Sequence, residues 1–97
     1  MFIIDITYKV SLDLVEPHLQ AHISWLERHY ASGLFVASGR KEPRTGGIIL
    51  ALSDSLESLQ DIAKQDPFFE QGLSDIRITE FIPSKAGDAF NSLLDAP

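Results

Sequence analysis

Four short segments of the chain, rich in apolar residues, predict four β-strands. These strands are expected at residues 2–10, 34–38, 48–52 and 76–81. In the first strand, Ile4, Ile6 and Tyr8 share one face, and Ile3, Asp5 and Thr7 share the other. Residues 39–47, between the second and third strands, are too many for a tight hairpin and are expected to form a loop.

Two other segments have apolar positions at helical spacing. The first helix is expected to follow a connection at residues 11–16, to begin at Pro17 and to run to about Ser32, with Gly33 in a left-handed turn at its end. The second helix is expected to begin at Ser55 and to stop at Asp66–Pro67, where a short turn carries two phenylalanines. The tail, residues 84–97, has a weaker helical pattern and is expected to dock on the domain or on a neighbouring copy.

The element order strand–helix–strand–strand–helix–strand predicts a single α+β domain spanning residues 1–97, with the ferredoxin-like βαββαβ fold and a four-stranded antiparallel sheet. Two helices can cover only one face of such a sheet. The second and third strands, however, carry apolar side chains on both faces. An exposed apolar face of this size is unusual in a monomer. The sequence therefore predicts a homodimer of the α/β-barrel type, in which two sheets pack face to face.

Composition narrows the possible partners and chemistry. The chain of 97 residues has no cysteine, which excludes disulfides, zinc–thiolate sites and cysteine nucleophiles. A formal net charge of −6 is opposite to what phosphate binding requires, so no nucleic-acid partner is expected. The amino-terminal residues resemble no signal peptide, and no apolar run is long enough to span a membrane. We therefore expect a cytoplasmic protein that does not bind membranes.

All three histidines, His18, His22 and His29, lie on the first predicted helix, within a strip about 40° wide with Trp25 at its edge. They are interpreted as partly exposed surface residues, as a metal site or as an acid–base site. The metal interpretation lacks an anchored third ligand, so no metal is expected. The acid–base interpretation requires a carboxylate that orients one histidine. Helical spacing alone does not identify that carboxylate.

Several short motifs resemble the YCII-related family in their order and spacing. The motifs, which together span residues 2 to about 82, are His22-x-x-x-Leu26, Gly33-Leu34, Ser38-Gly39, a glycine-containing turn before an apolar strand, Asp66-Pro67-Phe68 and Gly72-Leu73. The resemblance implies a dimeric ferredoxin-like α/β barrel. It also implies a His–Asp active-site pair, which falls on His22 and Asp66 here. Many members have proline directly after Gly39, where this chain has Arg40.

The remaining candidate site residues are Arg40, Arg44, Ser38 and Trp25, to which we assign substrate binding. The two arginines lie in a basic loop of an otherwise acidic chain and are expected to attract an anionic substrate. Asp66, because it precedes a proline at a helix start, is also expected to cap that helix.

Two functions from different classes fit these residues. The first is a small cofactor-independent enzyme in which His22 and Asp66 perform acid–base chemistry on a small organic substrate, aromatic or anionic. The second is a non-catalytic dimeric module for ligand binding or assembly. No cofactor motif occurs in the chain, so no cofactor is expected.

Overall fold

Four strands form one antiparallel sheet in the computed structural model, which describes residues 1–95. They are β1 (Phe2–Tyr8), β2 (Phe35–Arg40), β3 (Gly46–Ala51) and β4 (Ser74–Glu80). The sheet order is β2-β3-β1-β4, so the first strand pairs with the third and the fourth. Together with the helices this order gives the ferredoxin-like βαββαβ topology, and the predicted fold class is confirmed.

Helices connect the strands on one side of the sheet. They are α1 (Leu12–Val15), α2 (Leu19–Ala31), α3 (Leu56–Ala63) and α4 (Pro67–Glu70). The helix ends follow their sequence signals: Gly33 after α2 has φ +84°, and Ser55 caps α3 by accepting the N–H of Ser58 at 3.1 Å. Among residues 1–95, no helix combines the length and the apolarity that crossing a membrane requires.

The prediction of an irregular connection at residues 11–16 was wrong. Residues Leu12–Val15 form the short helix α1, a 3₁₀ turn at Glu16–His18 contains Pro17, and α2 begins two residues after that proline. The physical reason is Val15, whose side chain is completely buried, so that the segment folds against the domain. Proline suits the start of the 3₁₀ turn because an N–H there would have no intrahelical partner.

The loop predicted at residues 39–47 is shorter than expected, because the ladder between β2 and β3 extends to the pair Arg40 and Gly47. Gly46 permits this extension. A Cβ atom at this position would lie 1.8 Å from the carbonyl oxygen of Ile6, so only glycine allows β3 to begin so close to β1. As a result, Arg40 lies on a strand and only residues 41–45 form the loop.

The core lies between one face of the sheet and the two longer helices. Trp25 of α2 and Leu59 of α3 are completely buried against the alternate residues of β1, including the predicted Ile4 and Ile6. On the opposite face, Ile3 lies across from Leu50 in the ladder, and both side chains are partly exposed. The sheet therefore has one fully packed face and one face with a partly exposed apolar centre.

The tail differs from the prediction of a docked helix. Residues Asp88–Asp95 form 3₁₀ turns that are interrupted by a non-helical backbone at Phe90. Phe90 is 62% exposed and Leu94 is 40% exposed, so these side chains are not docked on the body of the domain. The last part of the predicted tail, residues 96–97, lies outside the described residues.

Candidate active site

Asp66 occupies the junction between α3 and α4. It is the N-cap of α4, and its Oδ1 accepts the backbone N–H of Phe68 at 3.1 Å. The capping role expected from the Asp–Pro sequence is confirmed. The carboxylate is nevertheless completely buried, and one backbone N–H is too little to compensate an ionised group removed from water.

The second partner of this carboxylate is His22. Its Nδ1 lies 2.7 Å from Oδ1 of Asp66, and the imidazole is only 13% exposed. A carboxylate can only accept a hydrogen bond. Nδ1 of His22 therefore carries the hydrogen and donates this hydrogen bond to Asp66. The neutral imidazole then has its lone pair on Nε2. This pairing holds the histidine in the tautomer that a general base requires.

Aromatic contacts fix the plane of the His22 ring. The imidazole stacks on Phe68 with ring centroids 4.1 Å apart and an interplanar angle of 10°. Trp25 lies on another side of the imidazole at 5.6 Å. The edge of Tyr8 meets Phe68, also at 5.6 Å. One residue, Phe68, thus supports both His22 and Tyr8 while its own N–H binds Asp66.

A cavity of about 470 Å³ opens between α2 and the helix-covered face of the sheet, within the usual size range of small-molecule sites. Its apolar wall is formed by Ile6, Leu19, Ile23, Leu26, Ile49 and Phe68. Its polar side chains are Tyr8, Glu16, His22, Ser38, Arg40 and Arg44. The cavity therefore suits a small ligand that has an apolar body and a few polar groups.

Charge is distributed unevenly around this cavity. Arg44 donates to Glu16 across 3.2 Å, which joins the β2–β3 loop to the 3₁₀ turn before α2. Among residues 1–95, Arg40 has no acidic side chain within 4.0 Å, so its charge is available to a ligand. Burial raises the pKa of the Tyr8 phenol, an effect that the nearby Arg44 guanidinium opposes. Tyr8 therefore remains a hydroxyl donor at neutral pH.

The structure brings most of the predicted site residues together. His22 contacts Asp66, and Ser38, Arg40 and Arg44 line the same cavity as His22. Ser38 is already engaged, since its Oγ lies 2.5 Å from the hydroxyl of Tyr30. Trp25 requires a correction: it is completely buried among core residues and does not line the cavity. Its large apolar ring fills the core, and it affects the site only through its contact with His22.

The cavity residues that were not predicted from sequence include Tyr8, Glu16 and Phe68, which bear most directly on its chemistry. Tyr8 had a usable signal, because it continues the buried face of Ile4 and Ile6 at the end of a strand. Phe68 follows directly after the Asp–Pro pair but was interpreted as a core residue. Glu16 fell in the segment predicted to be an irregular connection, where no face could be assigned.

The other two histidines are separate from this site. Neither His18 nor His29 lines the cavity. Desolvation by burial and, secondarily, the charge of Arg28 lower the pKa of His29, which packs against Trp25 and Phe35. Within residues 1–95, no three His, Asp or Glu side chains are grouped closely enough to hold a metal ion.

Comparisons with known proteins show the family and the fold to which the chain is similar. Residues 1–82 match the model of the YCII-related domain. Among solved structures, the chain is similar to 5-chloro-2-hydroxyhydroquinone dehydrochlorinase from Burkholderia phenoliruptrix in complex with 2,5-dihydroxybenzoquinone. That likeness has a TM-score of 0.71 and 19% sequence identity, and it covers 92% of this chain and 98% of the dehydrochlorinase.

A search of curated protein sequences found no significant match. At 19% identity the structural likeness shows a shared fold, whereas the match of the domain model over residues 1–82 covers most of the chain. The chain therefore belongs to the YCII-related family.

Proposed function

We propose that this chain is a small cofactor-independent enzyme in which His22 moves a proton to or from a small oxygenated organic substrate. The observation that carries the proposal is the 2.7 Å bond from His22 Nδ1 to the buried carboxylate of Asp66 at the wall of the cavity. This bond leaves Nε2 as the proton acceptor and places a negative charge where the imidazolium forms.

The chemistry of the cavity favours a hydroxylated aromatic or quinone-like substrate. Its apolar wall and the Phe68 ring suit a planar ring, and Arg40 and Arg44 supply positive charge for an ionised oxygen. The structurally similar dehydrochlorinase acts on a compound of this type. His22 Nε2 would take a proton from the ring or its hydroxyl group. The released electron pair would then form a double bond as an anionic leaving group departs with its own bonding pair. In an isomerisation the electron pair would instead shift along the ring, and the His22 imidazolium would return the proton to another ring position.

The wild-type protein provides the test. It is mixed with 5-chloro-2-hydroxyhydroquinone and with related quinols, and chloride release and the ultraviolet spectrum are followed over time while calorimetry measures binding. We expect turnover of at least one of these compounds. Binding of the compounds without any turnover would overturn the enzyme proposal and favour the alternative, a non-catalytic ligand-binding module.

We propose further that the protein is a homodimer paired through the face of the sheet opposite the helices. Ile3, Ile48 and Leu50 form an apolar centre on this face, and all three are partly exposed in the single chain. Burying this centre against its copy stabilises the dimer by about 25 cal/mol for each Å² of apolar surface that is removed from water. The cavity lies on the other face, with part of its wall on the edge strand β2.

Leu50→Glu is expected to convert the dimer into a monomer, because two buried carboxylates would meet at the centre of the interface. Sedimentation velocity at micromolar concentration measures the change. Leu14→Glu is the matched control, since Leu14 is 55% exposed and lies on α1, away from the sheet face. A wild-type protein that sediments as a monomer at this concentration would disprove the dimer.

A further inference from the structure

Arg44 has two neighbours that belong to different parts of the chain. Its guanidinium donates to Glu16 at 3.2 Å, and it lies beside the phenol of Tyr8, the last residue of β1. All three side chains line the cavity that contains His22. The Tyr8 hydroxyl and the Arg44 guanidinium can therefore both donate hydrogen bonds to one ligand in the cavity. The Glu16 carboxylate competes with that ligand for Arg44.

The position of Tyr8 is well defined. Its backbone N–H donates to Thr45 at 2.9 Å, which ties the end of β1 to the loop that carries Arg44. Its ring is held edge-on against Phe68, the same ring on which His22 stacks. The phenol and the imidazole are thus oriented by one shared aromatic side chain, and neither can shift without disturbing it.

The pair of Arg44 and Glu16 is less firmly held than the Tyr8 ring. Glu16 is 58% exposed and Arg44 is 29% exposed, so the pair is screened by water and contributes little energy. An anionic ligand oxygen inside the cavity would meet less water and would find the Tyr8 hydroxyl as a second donor. Hydrogen bonds to charged groups are stronger than those between neutral groups.

We propose that Tyr8 and Arg44 together bind an ionised oxygen of the substrate, and that Glu16 competes with this oxygen for Arg44. The proposal rests on the proposed function, because it takes the cavity beside His22 as the substrate site. It assigns two residues new roles: Tyr8 as a substrate-binding donor, and Glu16 as the residue that limits the preference for anionic over neutral ligands.

The test uses two probes and four variants of the full chain. The anionic probe is 2,5-dihydroxybenzoquinone, whose hydroxyl groups are acidic because each is conjugated to a carbonyl. The neutral probe is 2,5-dimethoxybenzoquinone, which has the same ring but cannot ionise. Calorimetry at neutral pH gives Kd for each probe with wild type and with Tyr8→Phe, Glu16→Gln, Ser24→Ala and Glu27→Gln.

Tyr8→Phe is expected to weaken binding of the anionic probe about tenfold, as the loss of a hydrogen bond to a charged group does. Glu16→Gln is expected to strengthen it about two- to fivefold, because Arg44 is released from a weak surface pair. Neither variant should change binding of the neutral probe by more than about twofold. Ser24→Ala and Glu27→Gln remove a hydroxyl and a carboxylate on α2 outside the cavity and should leave both affinities unchanged.

The inference is overturned if the anionic probe does not bind to wild type, if Tyr8→Phe binds it as tightly as Ser24→Ala does, or if Glu16→Gln matches Glu27→Gln. These results would leave the enzyme proposal standing wherever wild type turns over a quinol. Conversely, the expected affinity changes without any turnover would support the oxygen-binding site and reject the enzyme.

Discussion

Replacing His22 by glutamine is expected to lower kcat by about 10²–10⁴-fold, the usual contribution of a positioned general base. Glutamine approximates the length of the imidazole, but it has no basic nitrogen to accept a proton. Turnover of a confirmed substrate measures the effect. KM should change far less than kcat, because the arginines and Tyr8, to which we assign substrate binding in this proposal, are untouched.

His18→Gln is the matched control for His22→Gln. His18 precedes α2 by one residue, is half-buried and does not line the cavity, so its loss should leave kcat within about twofold. Equal activity of the two variants would show that His22 is not the base. A loss of activity in both, with unchanged folding, would contradict the assignment of the base to a single histidine.

Asp66→Asn tests whether the two residues act as a unit. Asparagine is an equally good N-cap and can still accept from Phe68, so the helix start should persist. The negative charge that stabilises the imidazolium is lost, and kcat should fall by a similar factor. The double variant with His22→Gln should be little worse than either single variant, since residues that act as a unit are strongly non-additive.

Much of the fold was predictable because each strand is a short apolar segment that can be identified locally. Ile4 and Ile6 are buried as the period of two requires, and Ser55 and Gly33 mark helix boundaries through local backbone chemistry. These signals act within a few residues and need no knowledge of the rest of the chain. The starting point of α2 was missed because burial of Val15, a tertiary effect, decides the conformation of the preceding segment.

The pairing of His22 with Asp66 was predictable only through the family resemblance. His22 and Asp66 are 44 residues apart, and no local pattern indicates that they touch. Arg44 and Tyr8 become neighbours through the pairing of strands, which depends on register. Trp25 shows a different limit. Helical spacing placed it beside the three histidines, but spacing does not show whether a residue lines a cavity or is buried in the core.

Phe68→Ala is expected to lower the free energy of unfolding by about 3–5 kcal/mol, the usual cost of deleting a fully buried aromatic ring. Phe68 is 1% exposed, so replacing its ring by a methyl group leaves a cavity inside the protein. Urea denaturation measures this loss. The neighbouring Phe69→Ala is the control: Phe69 is only half-buried, and its variant should lose less than half as much stability.

Phe68→Leu distinguishes two roles of this side chain, which are filling the core and orienting the His22 ring. Leucine restores much of the buried volume, so most of the stability should return, with a remaining loss of about 1–2 kcal/mol. It lacks the flat face on which the His22 ring stacks at 4.1 Å, and the edge contact of Tyr8 is lost as well. We therefore expect kcat to stay at least about tenfold below wild type, since a misoriented base loses the alignment that catalysis needs. Full activity in a stable Phe68→Leu protein would show that the Asp66 bond alone orients His22.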